Sequence, residues 1–196
     1  MVLRKVLLGV AFLVAVPVFS QTVPQGKTGG IPITIGAGYS NFNSDWSDRI
    51  SGYTIWGDWT FYNAPSVLRG IAVEVSGRDL NFNRTGDDPL LRQRTGLGGI
   101  VLAWRRFQHV QPYGKLFAGY GSINFTTTDP YYHHDTRTVT AEGFGANFIF
   151  HNNLIVRADF ETQQWPNLMR HHSLTPTGVT IGLAYDFKRH SNWRAS

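Results

Sequence analysis

Three sets of side chains in this sequence are of types that could do chemistry. Histidines fall in two runs, His133 and His134 before Asp135, and His171 and His172 before Ser173. Imidazoles brought together from two neighbouring loops could hold zinc or copper. Their spacing matches no ligand motif, and solvated loop histidine is the plainer reading, so no metal or other cofactor is expected. His172, Ser173 and Glu142 supply the residue types of a base, a nucleophile and an acid. Adjacent residues in a strand point to opposite faces, which sets His172 apart from Ser173 and argues against an enzyme. The third set is the ionisable residues Asp58, Glu74, Arg78, Lys115, Glu142, Arg157, Asp159, Glu161 and Asp186. Their chemistry depends on whether the fold gathers them, because charges taken out of water must pair.

The totals narrow the fold that could gather them. The chain has 196 residues, one domain's worth, with 14% aromatic and 16% charged residues and 21 glycines. Sparse charge with abundant rings opposes disorder and suits a β-rich protein with a large apolar surface. There is no cysteine, so disulfides, thiolate zinc sites and cysteine nucleophiles are excluded. The net charge of +5 is spread along the chain, so no nucleic-acid partner is expected.

The first residues read as an export signal. Arg4 and Lys5 precede an apolar run from Val6 to Val18, and Ser20 then stands before Gln21 as a small-residue cleavage point. That run, about 13 residues, is too short to cross roughly 30 Å of bilayer as a helix. Four segments are therefore expected: a signal peptide over 1–20, a short segment over 21–30, a barrel over 31–187 and a periplasmic tail over 188–196.

The barrel follows from period-two alternation, the mark of a membrane-spanning strand. Val179, Ile181, Leu183, Tyr185 and Phe187 share one face, opposite Thr180, Gly182, Ala184 and Asp186. Leu154, Val156, Ala158 and Phe160 oppose Arg157, Asp159 and Glu161, and Ile71, Val73 and Val75 oppose Glu74 and Arg78. Leu116, Ala118 and Tyr120 oppose Lys115, while Phe144, Ala146, Phe148 and Phe150 are set opposite Glu142, Gly145 and Asn147. Eight strands are predicted, near 31–43, 50–62, 70–80, 95–106, 111–123, 138–150, 154–165 and 177–187. The minority face carries full charges, as a polar barrel interior does. Glu74, Arg78, Lys115, Arg157, Asp159 and Glu161 are accordingly expected to form a lumen network. Connectors near 63–69, 107–110 and 151–153 read as short periplasmic turns, and those near 43–49, 81–94, 124–137 and 166–176 as longer outer loops. Trp59, Phe61, Phe150, Tyr185 and Phe187 form an expected lower aromatic girdle, and Tyr39, Tyr53, Tyr120 and Trp165 an upper one.

The run Thr180-Ile-Gly182-Leu-Ala-Tyr185-Asp-Phe187 resembles the final-strand assembly signal of outer-membrane barrels. Pro112 to Gly121 and Asn153 to Phe160 likewise resemble small barrels of the outer-membrane protein A type. The resemblance implies an all-β, up-and-down antiparallel transmembrane barrel in the bacterial outer membrane. It also implies an assembly signal on Thr180, Gly182, Tyr185 and Phe187, read by the outer-membrane insertion machinery. One departure is that Lys188 to Ser196 follow the last aromatic residue. The expected partners are outer-membrane lipid and that machinery, and the expected state is a monomer. The expected role is non-enzymatic, structural or surface-interacting. A narrow or gated channel comes second and a lipid A-modifying enzyme third.

Overall fold

A computed structural model describes residues 32–45, 49–61, 70–81, 91–104, 109–125, 134–150, 153–168 and 172–187. Among them there is no helix, and nine strands follow in order. They are β1 (Ile33–Asn43), β2 (Arg49–Thr60), β3 (Ile71–Asn81), β4 (Leu91–Ala103), β5 (Val110–Phe125), β6 (His134–Ile149), β7 (Leu154–Leu168), β8 (His172–Leu174) and β9 (Thr177–Asp186). Each long strand pairs antiparallel with the next, β7 pairs with β9, and β9 pairs with β1. Eight strands thus close into a barrel. The short β8 lies outside this ring, alongside Trp165 and Leu168 at the end of β7. Closure leaves the eight-stranded ring itself, as described, no free edge to recruit another chain.

The signal segment and the tail fall outside the described residues. β1 enters and β9 leaves at the same end, where Thr34 faces Asp186; this is called the near end. The strands run further at the far end than the alternation predicts. β4 begins at Leu91 rather than 95 and β6 at His134 rather than 138, and β7 continues to Leu168. Backbone ladders there persist beyond the segment in which one face must be apolar. Connector lengths also alternate less cleanly than expected, since residues 61–70 at the near end outnumber 44–48 at the far end.

The wall carries the expected contrast along its near half. Ile35, Ile55, Val75, Ile100, Leu116, Phe144, Ile181 and Leu183 stand exposed on the outside. Thr34, Asp58, Glu74, Lys115, Arg157, Asp159 and Thr180 are buried within. The contrast reverses at the far end. There the outward positions are Asn41, Ser51, Asn81, Arg92, Arg94, Asn124 and His134. The inward ones are Phe42, Ile50, Leu80, Ile123, Val139 and Trp165, all almost wholly buried. Outside the bilayer a barrel wall meets water, so its exterior becomes polar and its interior becomes an ordinary apolar core. The reversal marks where the barrel leaves the lipid.

Two expected positions are corrected by this geometry. Trp165 is not a girdle residue: it is 0% exposed and points inward, because it shares the parity of Glu161 and Gln163 on β7. Its ring crosses Gly121, where an added Cβ would sit 2.1 Å from the ring. Glu142 does not face the lumen. It lies between Ala141 and Gly143 on the outward parity of Phe144, in register with Leu116 and Thr162.

Candidate functional site: the barrel lumen

The lumen is built from the inward residues of strands that are not neighbours. Arg157 on β7 donates from Nη1 to Glu74 Oε2 of β3 at 2.7 Å and from Nη2 to Asp58 Oδ2 of β2 at 2.9 Å. Its Nε donates to Asn147 at 3.0 Å. The guanidinium is also flanked by rings, with Trp56 at 4.8 Å and Tyr113 at 5.0 Å from its carbon. Planar, weakly hydrated and always charged, a guanidinium suits such a bridging post.

A second pair of ties lies further along. Lys115 Nζ on β5 reaches Asp159 at 2.5 Å and Glu161 at 2.6 Å, both on β7. Arg78 on β3 forks onto Glu161 at 2.6 and 3.2 Å, donates from Nε to Thr54 at 2.9 Å, and lies 4.3 Å over the Phe42 ring. Tyr113 donates its hydroxyl to Asp159 at 2.7 Å. Glu161 also accepts from Gln163 at 2.8 Å, and Gln163 accepts in turn from Gln93 at 3.1 Å and Trp165 at 2.9 Å. Carboxylates and cations removed from water are stable only when so satisfied.

Two glycines make room for one large ring at this level. Trp56 lies across Gly36 and Gly182, where an added Cβ would come within 2.3 and 2.6 Å of the indole. Gly182, part of the expected assembly signal, also leaves the space that Trp56 fills. Thr180 is buried and bonds Ser40 at 2.7 Å. Tyr185 and Phe187 stand on the lipid face with ring centroids 5.0 Å apart, edge to face.

The six expected residues therefore stand in two ionic groups, Arg157 with Glu74 and Asp58, and Lys115 and Arg78 with Asp159 and Glu161, bridged by Tyr113, which bonds Asp159 and lies beside the Arg157 guanidinium. Asp186 is buried near the closing seam, where Asn153 donates to its backbone carbonyl at 2.6 Å. Trp56, on the polar side of its strand as the alternation places it, belongs to the set, and so do Tyr113, Gln93 and Gln163, which were not anticipated. Their signal was available, since all share the lumen parity of their strands.

The described histidines gather nothing comparable. His133 and His171 lie outside the described residues. His134 faces outward at the far end and contacts Asn124, Ser122 and Thr136. His172 lies in β8. Among the described residues no three metal-binding side chains cluster. Glu142 is in register with Thr162, whereas β8 runs beside Trp165 to Leu168, so the fold does not assemble Glu142 and Ser173 into one site.

A closed antiparallel ring of eight strands, apolar outside and charged within, defines a small transmembrane β-barrel. Residues 8–187 match the family model of the outer membrane protein beta-barrel domain. The chain belongs to that family, and it resides in the outer membrane. The structure is similar to Ail, the attachment invasion locus protein of Yersinia pestis, with 20% identity and a TM-score of 0.53 over 82% of this chain and 100% of that one. It is similar to Neisserial surface protein A, with 11% identity and a TM-score of 0.56 over 79% and 96%. It also resembles OprG of Pseudomonas aeruginosa, with 12% identity and a TM-score of 0.51 over 83% and 97%. These identities speak to the fold. A comparison with curated proteins finds no match.

Proposed function

We propose that this chain is a non-enzymatic, non-conducting outer-membrane barrel that acts by holding its far-end connectors at the cell surface. The doubly closed lumen carries this reading. An eight-stranded barrel leaves only the room its own side chains fill. Here the ion-pair layer fills the membrane level, and an apolar layer of Phe42, Ile50, Leu80, Ile123, Val139, Trp165 and Leu174 closes the far end. The reversed wall supports it from outside: a collar of strand stands clear of the lipid as a rigid base for connectors 82–90 and 126–133. Ail has been solved in complex with a heparin analogue, sucrose octasulfate, so a barrel of this shape is compatible with surface recognition.

A gated channel is the second reading, and one observation favours it. Arg157 and Lys115 each touch two carboxylates, so exchange of partners could loosen the ionic layer. The apolar layer above has no partners to exchange.

Planar-bilayer recording tests the choice. Purified protein should give no conductance steps under conditions in which a general porin does. Steps from the unmodified chain would overturn the closed-lumen reading in favour of a channel. Replacing 82–90 and 126–133 with short Gly-Ser turns should abolish surface adhesion of expressing cells while the barrel still assembles. Unaltered lipid A mass spectra from expressing cells are the expected result for a non-enzyme.

A further inference from the structure

A shallow, open groove of about 540 Å³ indents the outer wall where β2 to β6 run side by side. Tyr53 and Tyr120 wall it, Ile55 flanks it, Gly77 and Gly96 form its floor, and Arg94 stands at its far end. Both tyrosines point away from the lumen and are 75% and 69% exposed. The groove therefore opens toward lipid at the level where the wall changes from apolar to polar.

The floor is open for no internal reason. Gly36, Gly121 and Gly182 are bare because rings press on them. At Gly96 an added Cβ would meet nothing within 4 Å, and at Gly77 its nearest neighbour would be Ile55 at 3.7 Å, an ordinary contact. Glycine weakens a strand, and in strand interiors it often marks a close approach from outside.

The rim is cationic. Arg92 and Arg94 both bond Asp79, at 2.6 and 3.1 Å, and the Arg94 side chain stays 51% exposed. Two guanidiniums against one carboxylate leave a positive excess, and guanidinium pairs well with phosphate. Ser51, Asn81 and Asn124 share the row of Arg92, offering uncharged polar groups suited to sugar hydroxyls. All of this lies at the end away from both terminal strand ends, which faces the outer leaflet if the connectors reach the surface as proposed above.

We propose that this groove seats an acyl chain of a phosphorylated glycolipid of the lipid A class, with its phosphate held by Arg94 and Arg92. The tyrosine rings would flank the chain at the headgroup boundary, where aromatic residues are favoured. The site is separate from whatever the connectors contact.

The test uses the full mature chain in phosphatidylcholine nanodiscs, titrated with bis-phosphorylated lipid A and read by native mass spectrometry. Gly96→Leu fills the groove and Arg94→Ala removes the cation, while Ala146→Leu adds the same bulk elsewhere on the lipid face. The heat-dependent gel shift reports that each variant is folded. Lipid A should bind the unmodified chain and Ala146→Leu alike, and at least five-fold more weakly to Gly96→Leu and Arg94→Ala. Dephosphorylated lipid A and phosphatidylglycerol should each bind more weakly than lipid A. Undiminished binding to folded Gly96→Leu would overturn the groove as the site. Equal binding of phosphatidylglycerol would overturn the glycolipid as its occupant.

Discussion

Removing Arg157 is the sharpest perturbation the lumen offers. The side chain is 5% exposed and holds both Asp58 and Glu74. Arg157→Ala leaves two carboxylates facing each other across adjacent strands, Asp58 opposite Glu74, with their shared counter-charge gone. Breaking a buried pair from one side costs on the order of 3–5 kcal/mol, because the remaining charge is uncompensated. Urea slopes of small proteins are about 1–3 kcal/mol per molar, so the unfolding midpoint should fall by roughly 2 M at a mid-range slope. Refolded protein in lipid vesicles, followed by tryptophan fluorescence or the gel shift, gives the midpoint. The reference is Arg92→Ala, which breaks only a part-exposed pair with Asp79 and should move the midpoint little. A third variant separates charge from packing: Arg157→Met with Asp58→Asn and Glu74→Gln removes both signs and should recover most of the loss. Equal midpoints for Arg157→Ala and Arg92→Ala would refute the reasoning, and so would a triple variant no better than the single one.

Other outcomes follow from the same geometry. Val156 shares the lipid face with Phe160, so Val156→Arg should cost roughly 2–4 kcal/mol near the midplane; the urea midpoint of that variant checks the face assignment. Tyr185→Ala with Phe187→Ala should sharply reduce assembled protein and leave protease-sensitive chain in the periplasm, and normal assembly would mean that Lys188 to Ser196 carry the signal instead or that the match to an assembly signal is accidental. The Asp45 carboxylate accepts from Thr175 N and Oγ1, each at 2.9 Å, and these donors hold it below its usual 3.8. A depressed folded value means that the link is intact above the unfolded value and lost as pH falls through the folded one. The Thr175 amide resonance should therefore titrate with a midpoint below 3.8, and a midpoint above that value would contradict the contact.

Much of the wall was legible because lipid and lumen impose opposite demands on alternate residues. Val156 and Arg157, or Val73 and Glu74, could hardly exchange faces, so strand identity and parity could be read together. Legibility failed where that contrast fades or reverses. Glu142 sits in a run with Gly143 and Gly145, which carry no polarity of their own, and its charge alone suggested the lumen. Tryptophan at a strand end is common at an interface, so Trp165 reads as a girdle residue, yet its parity with Glu161 places it inside. The apolar far-end layer escaped for the same reason, since Phe42, Leu80 and Ile123 are apolar where a membrane-level rule expects polar. Partner choice in the lumen is set by strand positions across the ring, which spacing along the chain does not encode.

The ties in the lumen span the ring rather than following it. β3 and β7 stand four strands apart in a circle of eight, and Arg78 to Glu161 and Arg157 to Glu74 both cross between them, each joining residues 83 positions apart in sequence. Asp58 and Glu74 belong to strands made early, and their counter-charge arrives only with β7. Until then those carboxylates need water, so a half-built sheet cannot dry out against lipid on its inner side. Dehydration of the interior and closure of the ring must coincide, and incomplete barrels of this chain should remain wet, open and readily digested rather than persist as partly inserted forms.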